Sequence, residues 1–167
     1  FEEIEEMLVA IQIDHERPIK EMIDDILDYL NMEPNEIEEM DVDLETFAGK
    51  KLAFKYHVAE RAHSDTITEF DMDIEFLSGA EWEYEYDLSD QDFEIEYSDR
   101  DDVRGQDARD KMEDILSEVT IDLDQSIASL KESFLAATKV QFSDVEEWDF
   151  EVEFEDEMKI SAKFDRS

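Results

Sequence analysis

The chain has 167 residues, enough for one domain with a sizeable core, and its 52 Asp and Glu against 15 Lys and Arg leave a net charge of −37. A field of that sign repels nucleic acid and anionic lipid, so direct binding to either through bulk charge is excluded. Hydrophobic residues at 41% and aromatics at 11% separate it from disordered acidic tails, which lack the apolar side chains that offset chain entropy.

Residues 1–46 read as helical. Phe1, Ile4, Met7, Leu8 and Ile11 fall on one stripe, and beyond Pro18 a second stripe runs through Ile19, Met22, Ile23, Ile26, Leu27 and Leu30. Asn35 to Met40, after Pro34, reads as a short helix or a loop. The period then changes to two, and residues 50–98 are expected to form a four-stranded antiparallel meander. Its first strand alternates Leu52, Phe54, Tyr56 and Val58 with Ala53, Lys55 and His57. In the second, Phe70, Met72, Ile74 and Phe76 alternate with Glu69, Asp71, Asp73 and Glu75. The third sets Trp82, Tyr84, Tyr86 and Leu88 against Glu81, Glu83, Glu85 and Asp87, and the fourth sets Phe93, Ile95 and Tyr97 against Asp92, Glu94 and Glu96. Tyr56 placed opposite Phe70 would bring Lys55 to Asp71 and Lys51 to Glu75, matching apolar and charged faces in one hairpin.

Residues 106–138 return to helical spacing through Ala108, Met112, Ile115, Leu116, Val119, Leu123, Ile127, Leu130 and Phe134, which predicts one long helix packed on the sheet. A hairpin over 145–165 closes the chain. Trp148, Phe150, Val152 and Phe154 alternate with Asp149, Glu151, Glu153 and Glu155, and Phe154 opposite Met158 would set Glu153 against Lys159 and Asp149 against Lys163. With three glycines and no internal repeat, residues 1–167 are expected to form a single compact acidic α+β domain.

Cysteine is absent, which excludes disulfides, thiolate metal clusters and a cysteine nucleophile, and makes a cytoplasmic or capsid-enclosed setting the default expectation. No apolar run approaches the ~20 residues of a membrane span. The chain opens at Phe1, consistent with a trimmed or processed form. No metal, cofactor or enzymatic activity is expected. His57, Glu60 and His63 match no zinc spacing, and Asp71, Asp73 and Glu75 lack the glycine and closing glutamate of a calcium loop. Carboxylates are too numerous for one pair to stand out as acid and base, and phosphate loops, serine-nucleophile motifs and dinucleotide fingerprints are missing.

The charge is patterned. Residues 1–46 hold 17 acids and 2 bases, residues 65–102 hold 16 and 1, and residues 144–157 hold 9 and none, while residues 106–139 hold 8 and 4. Adaptation to concentrated salt would be expected to acidify the long helix as well, yet its polar positions carry Ser117, Gln125, Ser126, Ser129, Lys131 and Ser133. The pattern instead predicts a nucleic-acid mimic: an acidic sheet face that occupies a basic nucleic-acid-binding protein (a nuclease, polymerase or repressor) and blocks it competitively. Phage-encoded anti-restriction and anti-CRISPR inhibitors work on that principle. The predicted contact residues are Glu69, Asp71, Asp73, Glu75, Glu81, Glu83, Glu85, Asp87, Glu94, Glu96, Asp149, Glu151 and Glu153. Two alternatives stand beside it: a solvent-adapted acidic domain, and a chaperone-like module that binds extended peptides. An aromatic wall of Trp82, Tyr84, Tyr86, Trp148, Phe150 and Phe154 left without helix cover would serve the latter, or a homodimer.

Overall fold

The computed structural model describes residues 6, 11, 16–37, 39–45, 51–57, 66–155 and 157–166. They form an α+β structure in which one antiparallel sheet carries three helices. In chain order the elements are α1 (Ile19–Leu30), β1 (Glu39–Glu45), β2 (Lys51–His57), β3 (Ile67–Phe76), β4 (Glu81–Asp87), β5 (Asp92–Tyr97), β6 (Val103–Arg104), α2 (Gln106–Glu118), α3 (Ile127–Ala137), β7 (Val145–Phe154) and β8 (Lys159–Asp165). The strands lie in the order β1-β2-β8-β7-β3-β4-β5-β6.

Helix α1 forms where the second stripe predicts it. Ile19, Met22, Ile23, Ile26 and Leu27 are buried, and the helix stops at Asn31, whose left-handed φ of 54° lets Asn31 N donate to Asp28 O and Met32 N to Leu27 O. At its other end the Ile19 and Lys20 amides donate to the Gln125 and Leu123 carbonyls, 3.1 and 2.7 Å away, so a distant loop satisfies donors that the helix leaves free. The first stripe, Phe1 to Ile11, lies outside the described residues except that Glu6 is helical and Ile11 buried.

Three expectations are corrected. The segment after Pro34 makes one tight turn, Pro34–Glu36, and then becomes strand β1 rather than a helix or loop. Met40, Val42 and Leu44 alternate there with acids, a period-two signal only seven residues long. The long helix is two helices. Val119 turns extended (φ −112°, ψ 124°), Asp122 Oδ1 accepts the Asp124 amide, and Ser126 caps α3 by accepting the Ser129 amide at 3.0 Å. The apolar stripe ran across this break because residues 119–126 also contribute apolar groups to the core, Val119 fully and Ile121 and Leu123 partly.

The third correction concerns the sheet. The expected four-stranded meander is continuous only from β3 to β5, with the two-residue β6 added, and Tyr56 does not face Phe70. Strand β2 pairs with β1 and β8, placing Lys55 between Asp41 and Lys159 and Lys51 between Glu45 and Lys163, and the β7–β8 hairpin is inserted between β2 and β3. That hairpin has the register read from the sequence: Phe154 N donates to Met158 O at 2.8 Å, Glu153 faces Lys159, and Asp149 faces Lys163. The tight β3–β4 connection needs a glycine, since Gly79 stands at φ 88° while its amide donates to Phe76 O.

Apolar packing explains the insertion of β7 beside β3. Phe70, Met72 and Ile74 stand opposite Val152, Phe150 and Trp148, and Phe134 of α3 lies over them, 5.6 Å from Phe70, 5.0 Å from Phe150 and 6.1 Å from Trp148 by ring centroids. All seven are buried. Burying one such side chain stabilises by about 1.5–3 kcal/mol, whereas a like-charge pair directly opposite costs at most about 1 kcal/mol. The apolar faces therefore set the pairing, and the outward acids follow. Helix α2 covers the other end of the sheet, with Arg109 over the Phe93 ring and Glu113 Oε1 accepting from the Tyr86 hydroxyl at 3.2 Å. Tyr84, Tyr86, Trp148, Phe150 and Phe154 are core and Trp82 is partly buried, so the aromatic wall is a covered face.

Candidate functional site

Side chains alternate across a strand, so the register that buries the aromatics sends every intervening residue of β7, β3, β4 and β5 to the opposite face. Four rows of carboxylates result. Glu153, Glu69, Asp87 and Asp92 stand side by side, then Glu151, Asp71, Glu85 and Glu94, then Asp149, Asp73, Glu83 and Glu96, and finally Glu147, Glu75 and Glu81. All thirteen predicted contact residues belong to this block. Sequence reading left out two of its members: Asp92, which ends the first row, and Glu147, which opens the last. Glu147 continues the alternation Asp149, Glu151, Glu153, but the irregularity that shifts register between Glu75 and Phe76 interrupts the pattern one residue earlier, at Glu146. Neighbouring strands lie about 4.8 Å apart and alternate residues about 6.8 Å, so the block measures about 14 by 20 Å. It holds a depression of about 190 Å³ lined by Asp73, Glu75, Glu81, Glu83, Glu147 and Asp149 together with Ile74 and Trp82.

Bases border the block. On the β8 side Lys159 Nζ reaches Glu151 at 2.8 Å and Lys163 bridges to Glu147, each taking the carboxylate diagonal to its register partner rather than the one opposite. Beyond them in register come Lys55 and Lys51 of β2 and then the acids of β1. On the other side Arg104 Nε lies 2.6 Å from Glu94 Oε1, and its guanidinium is 3.9 Å from Asp102. Glu94, Glu96 and Asp102 converge within 4.8 Å of one another, a geometry that could hold a cation, and Arg104 is the cationic group found there. The acids of β7, β3, β4 and β5 thus stand beside one another, with bases at the two borders of the block. The expectation that Lys51 and Lys55 would stand opposite β3 is replaced by a register that sets them between Glu45 and Asp41 of β1 and Lys163 and Lys159 of β8.

Crowding changes the acidity of the central row. Asp71 is pushed up to about 6, first by the water its neighbours displace and then by Glu151, Glu85 and Asp73, with Lys159 pulling the other way. Asp73 is pushed up to about 6 by the same loss of water, by Asp149, with which it shares a hydrogen bond, and by Glu85 and Glu147. Glu69 and Glu75 are raised for the same reasons and hydrogen-bond Glu153 and Glu147. A hydrogen bond between two carboxyl groups needs a proton on one of them. Lys159 and Lys163 are raised by their hydrogen bonds to Glu151 and Glu147. Of the histidines, His15 and His63 lie outside the described residues together with Glu60, and for His57 only the backbone is described. Among the described residues, no helix is long and apolar enough to cross a membrane.

The YusW-like protein family matches residues 68–156, more than half of the chain. The chain belongs to this family. The YusW-like segment runs from β3 through β7, so it contains the whole carboxylate block and the two helices that back it, while β1 and the lysine-bearing β2 and β8 fall outside. No curated protein and no solved structure matches the chain.

Proposed function

We propose that this protein is an acidic docking module whose carboxylate face stands in for a nucleic-acid backbone, occupying the groove of a basic nucleic-acid-binding protein and blocking it. The observation that carries the reading is the unbroken block across β7, β3, β4 and β5. Four strands with an acid every second residue present one carboxylate per ~1.7 Å of strand direction, the same linear charge density as duplex DNA, about one charge per 1.7 Å of axis. A partner that binds phosphates by releasing their counterions would gain in the same way here. The flanking Lys159, Lys163 and Arg104 favour a footprint confined to the block, because a basic surface extended over them would meet like charge. Keeping fifteen carboxylates side by side costs stability, which supports a face that is used.

The test is binding of the immobilised chain to a basic nuclease, polymerase or repressor across a salt series, with DNA as competitor. The reading expects affinity to fall steeply with salt and DNA to displace the partner. Charge reversal at Glu83, Glu85, Glu94 and Glu96 should abolish the complex while leaving the fold intact. A complex that DNA does not displace, or that survives the four reversals, refutes it. Unfolding in ordinary buffer with recovery only in molar salt would instead support solvent adaptation, since at about 0.15 M charges are already screened over about 8 Å.

A further inference from the structure

We propose that Trp82 and Tyr97 form a cleft for a guanidinium group, filled in the free protein by Arg100, and that an arginine side chain of a docking partner takes the place of Arg100. The cleft stands on its own contacts; only the source of the incoming arginine rests on the docking reading above. On the helix-covered face of β3, β4 and β5 the aromatic side chains divide into two groups. Tyr84, Tyr86 and Phe93 are buried, whereas Phe76, Trp82 and Tyr97, where β3 turns into β4 and β5 ends, are partly buried. Trp82 and Tyr97 are register partners whose rings stand almost at right angles, centroids 5.1 Å apart at 85°. Phe76 packs against Trp82 at 4.7 Å and supports its ring. The guanidinium carbon of Arg100 lies 4.6 Å from the Trp82 ring centre and 5.5 Å from that of Tyr97, both within the roughly 6 Å over which an aromatic face attracts a cation.

The walls do not depend on their occupant. Trp82 Nε1 donates to Asp99 Oδ1 at 2.9 Å and Tyr97 N donates to Asp102 Oδ1 at 2.9 Å. Glu81 N donates to Ser98 Oγ at 2.7 Å and Ser98 N to Glu81 O at 2.9 Å, which ties the turn after β5 to β4. Arg100 is held less firmly. Its side chain is 57% exposed, and its Nε and Nη2 lie 3.3 and 3.4 Å from Asp99 Oδ1 and Oδ2, beyond the roughly 2.7–2.9 Å of a well-made charged pair. A preformed cleft around a loosely held cation favours exchange, because an entering group does not have to order the walls. The chemistry selects arginine. A planar guanidinium stacks on Trp82 while its fork engages Asp99, whereas an ammonium is a compact, strongly hydrated point charge.

Trp82 lies between Glu81 and Glu83 in β4 and borders the acidic depression, so a basic chain seated on the block stands beside the cleft. Its arginines and Arg100 are then both tethered groups at high effective concentration, and exchange does not require a free arginine to outcompete a tethered one.

The test follows the Trp82 indole Nε1–H and the Arg100 Nε–H by NMR in the intact chain, with the buried Trp148 indole as internal reference. In Arg100→Ala, N-acetylarginine amide should shift the Trp82 signal saturably and bind about tenfold more tightly than N-acetyl-lysine amide, which has the same charge. In the unsubstituted protein the same titration should be weaker by at least about tenfold, because Arg100 competes. Deca-arginine should move both signals of the unsubstituted protein, and decalysine should leave both in place. An unmoved Trp82 signal in Arg100→Ala, or an equal response to the arginine and lysine amides, overturns the cleft. Deca-arginine that leaves the Arg100 Nε–H in place overturns the replacement. Failure of DNA-displaceable binding to a basic nuclease, with the amide titrations as expected, refutes the docking reading alone.

Discussion

Replacing Asp73 by Asn should stabilise the protein at neutral pH and do almost nothing in acid. The ordinary aspartate value of 3.8 is raised to about 6, a shift of about 2 units, and each unit corresponds to about 1.4 kcal/mol of preference for the neutral form. Transferred undiluted this is about 3 kcal/mol, but Asp73 is exposed and screened by solvent and salt, so about 1 kcal/mol is expected. For the sign, the folded state binds more protons than the unfolded state between about pH 4 and pH 6, so acidification through that window stabilises the fold. The penalty on the charged form is fully present above pH 6 and gone below pH 4. The Asn amide keeps a donor toward Asp149, so the substitution removes charge without removing the hydrogen bond. Urea unfolding should show the variant about 1 kcal/mol more stable than the parent at pH 7.5, a rise in Tm of about 2–4 °C, and equal to it at pH 4. Raising salt from about 0.01 M to about 1 M shortens the screening length from about 30 Å to about 3 Å and should shrink the gain at pH 7.5. A shift of equal size at both pH values, or a loss of stability at pH 7.5, would refute the argument.

Other substitutions probe the scaffold. Phe134→Ala removes the ring that bridges Phe70, Phe150 and Trp148 and should cost about 3–5 kcal/mol in urea unfolding. Ser126→Ala deletes the cap of α3 and should cost about 1 kcal/mol, with the loss of protection at the Ser129 amide visible by hydrogen exchange. Lys163→Gln leaves Glu147 beside Glu75 and Asp149 without its bridging base. It should destabilise by up to about 1 kcal/mol at pH 7, an effect absent at about 1 M salt.

Period-two alternation was legible wherever a strand was long. Met72, Ile74, Tyr84 and Tyr86 are buried and Asp71, Asp73, Glu83 and Glu85 exposed, as the spacing requires. The β7–β8 hairpin was readable to the residue, because a short turn ties its two strands and leaves one register that matches both faces. The break between α2 and α3 was hidden by apolar residues that continue into the connecting loop, although Thr120, Ile121, Asp122 and Asp124 form a run of poor helix formers and turn residues that could have marked it. Strand β1 was hidden by its brevity and by its following Pro34 and Glu36, which suit a helix start equally well.

The site divides in the same way. Sequence alone determined which residues of β3, β4, β5 and β7 are acidic and that those of one strand share a face, because side-chain alternation is a property of the extended backbone itself. Only the tertiary structure decided that these strands lie next to one another, that Lys51 and Lys55 sit beside Lys159 and Lys163 instead of beside β3, and that Asp73 therefore meets Asp149. Strand order is set by contacts between residues some 75 positions apart in the chain, here Phe70, Met72 and Ile74 with Trp148, Phe150 and Val152 beneath Phe134. Apolar burial is indifferent to what the opposite face carries, and it outweighs the repulsion that places carboxylate beside carboxylate.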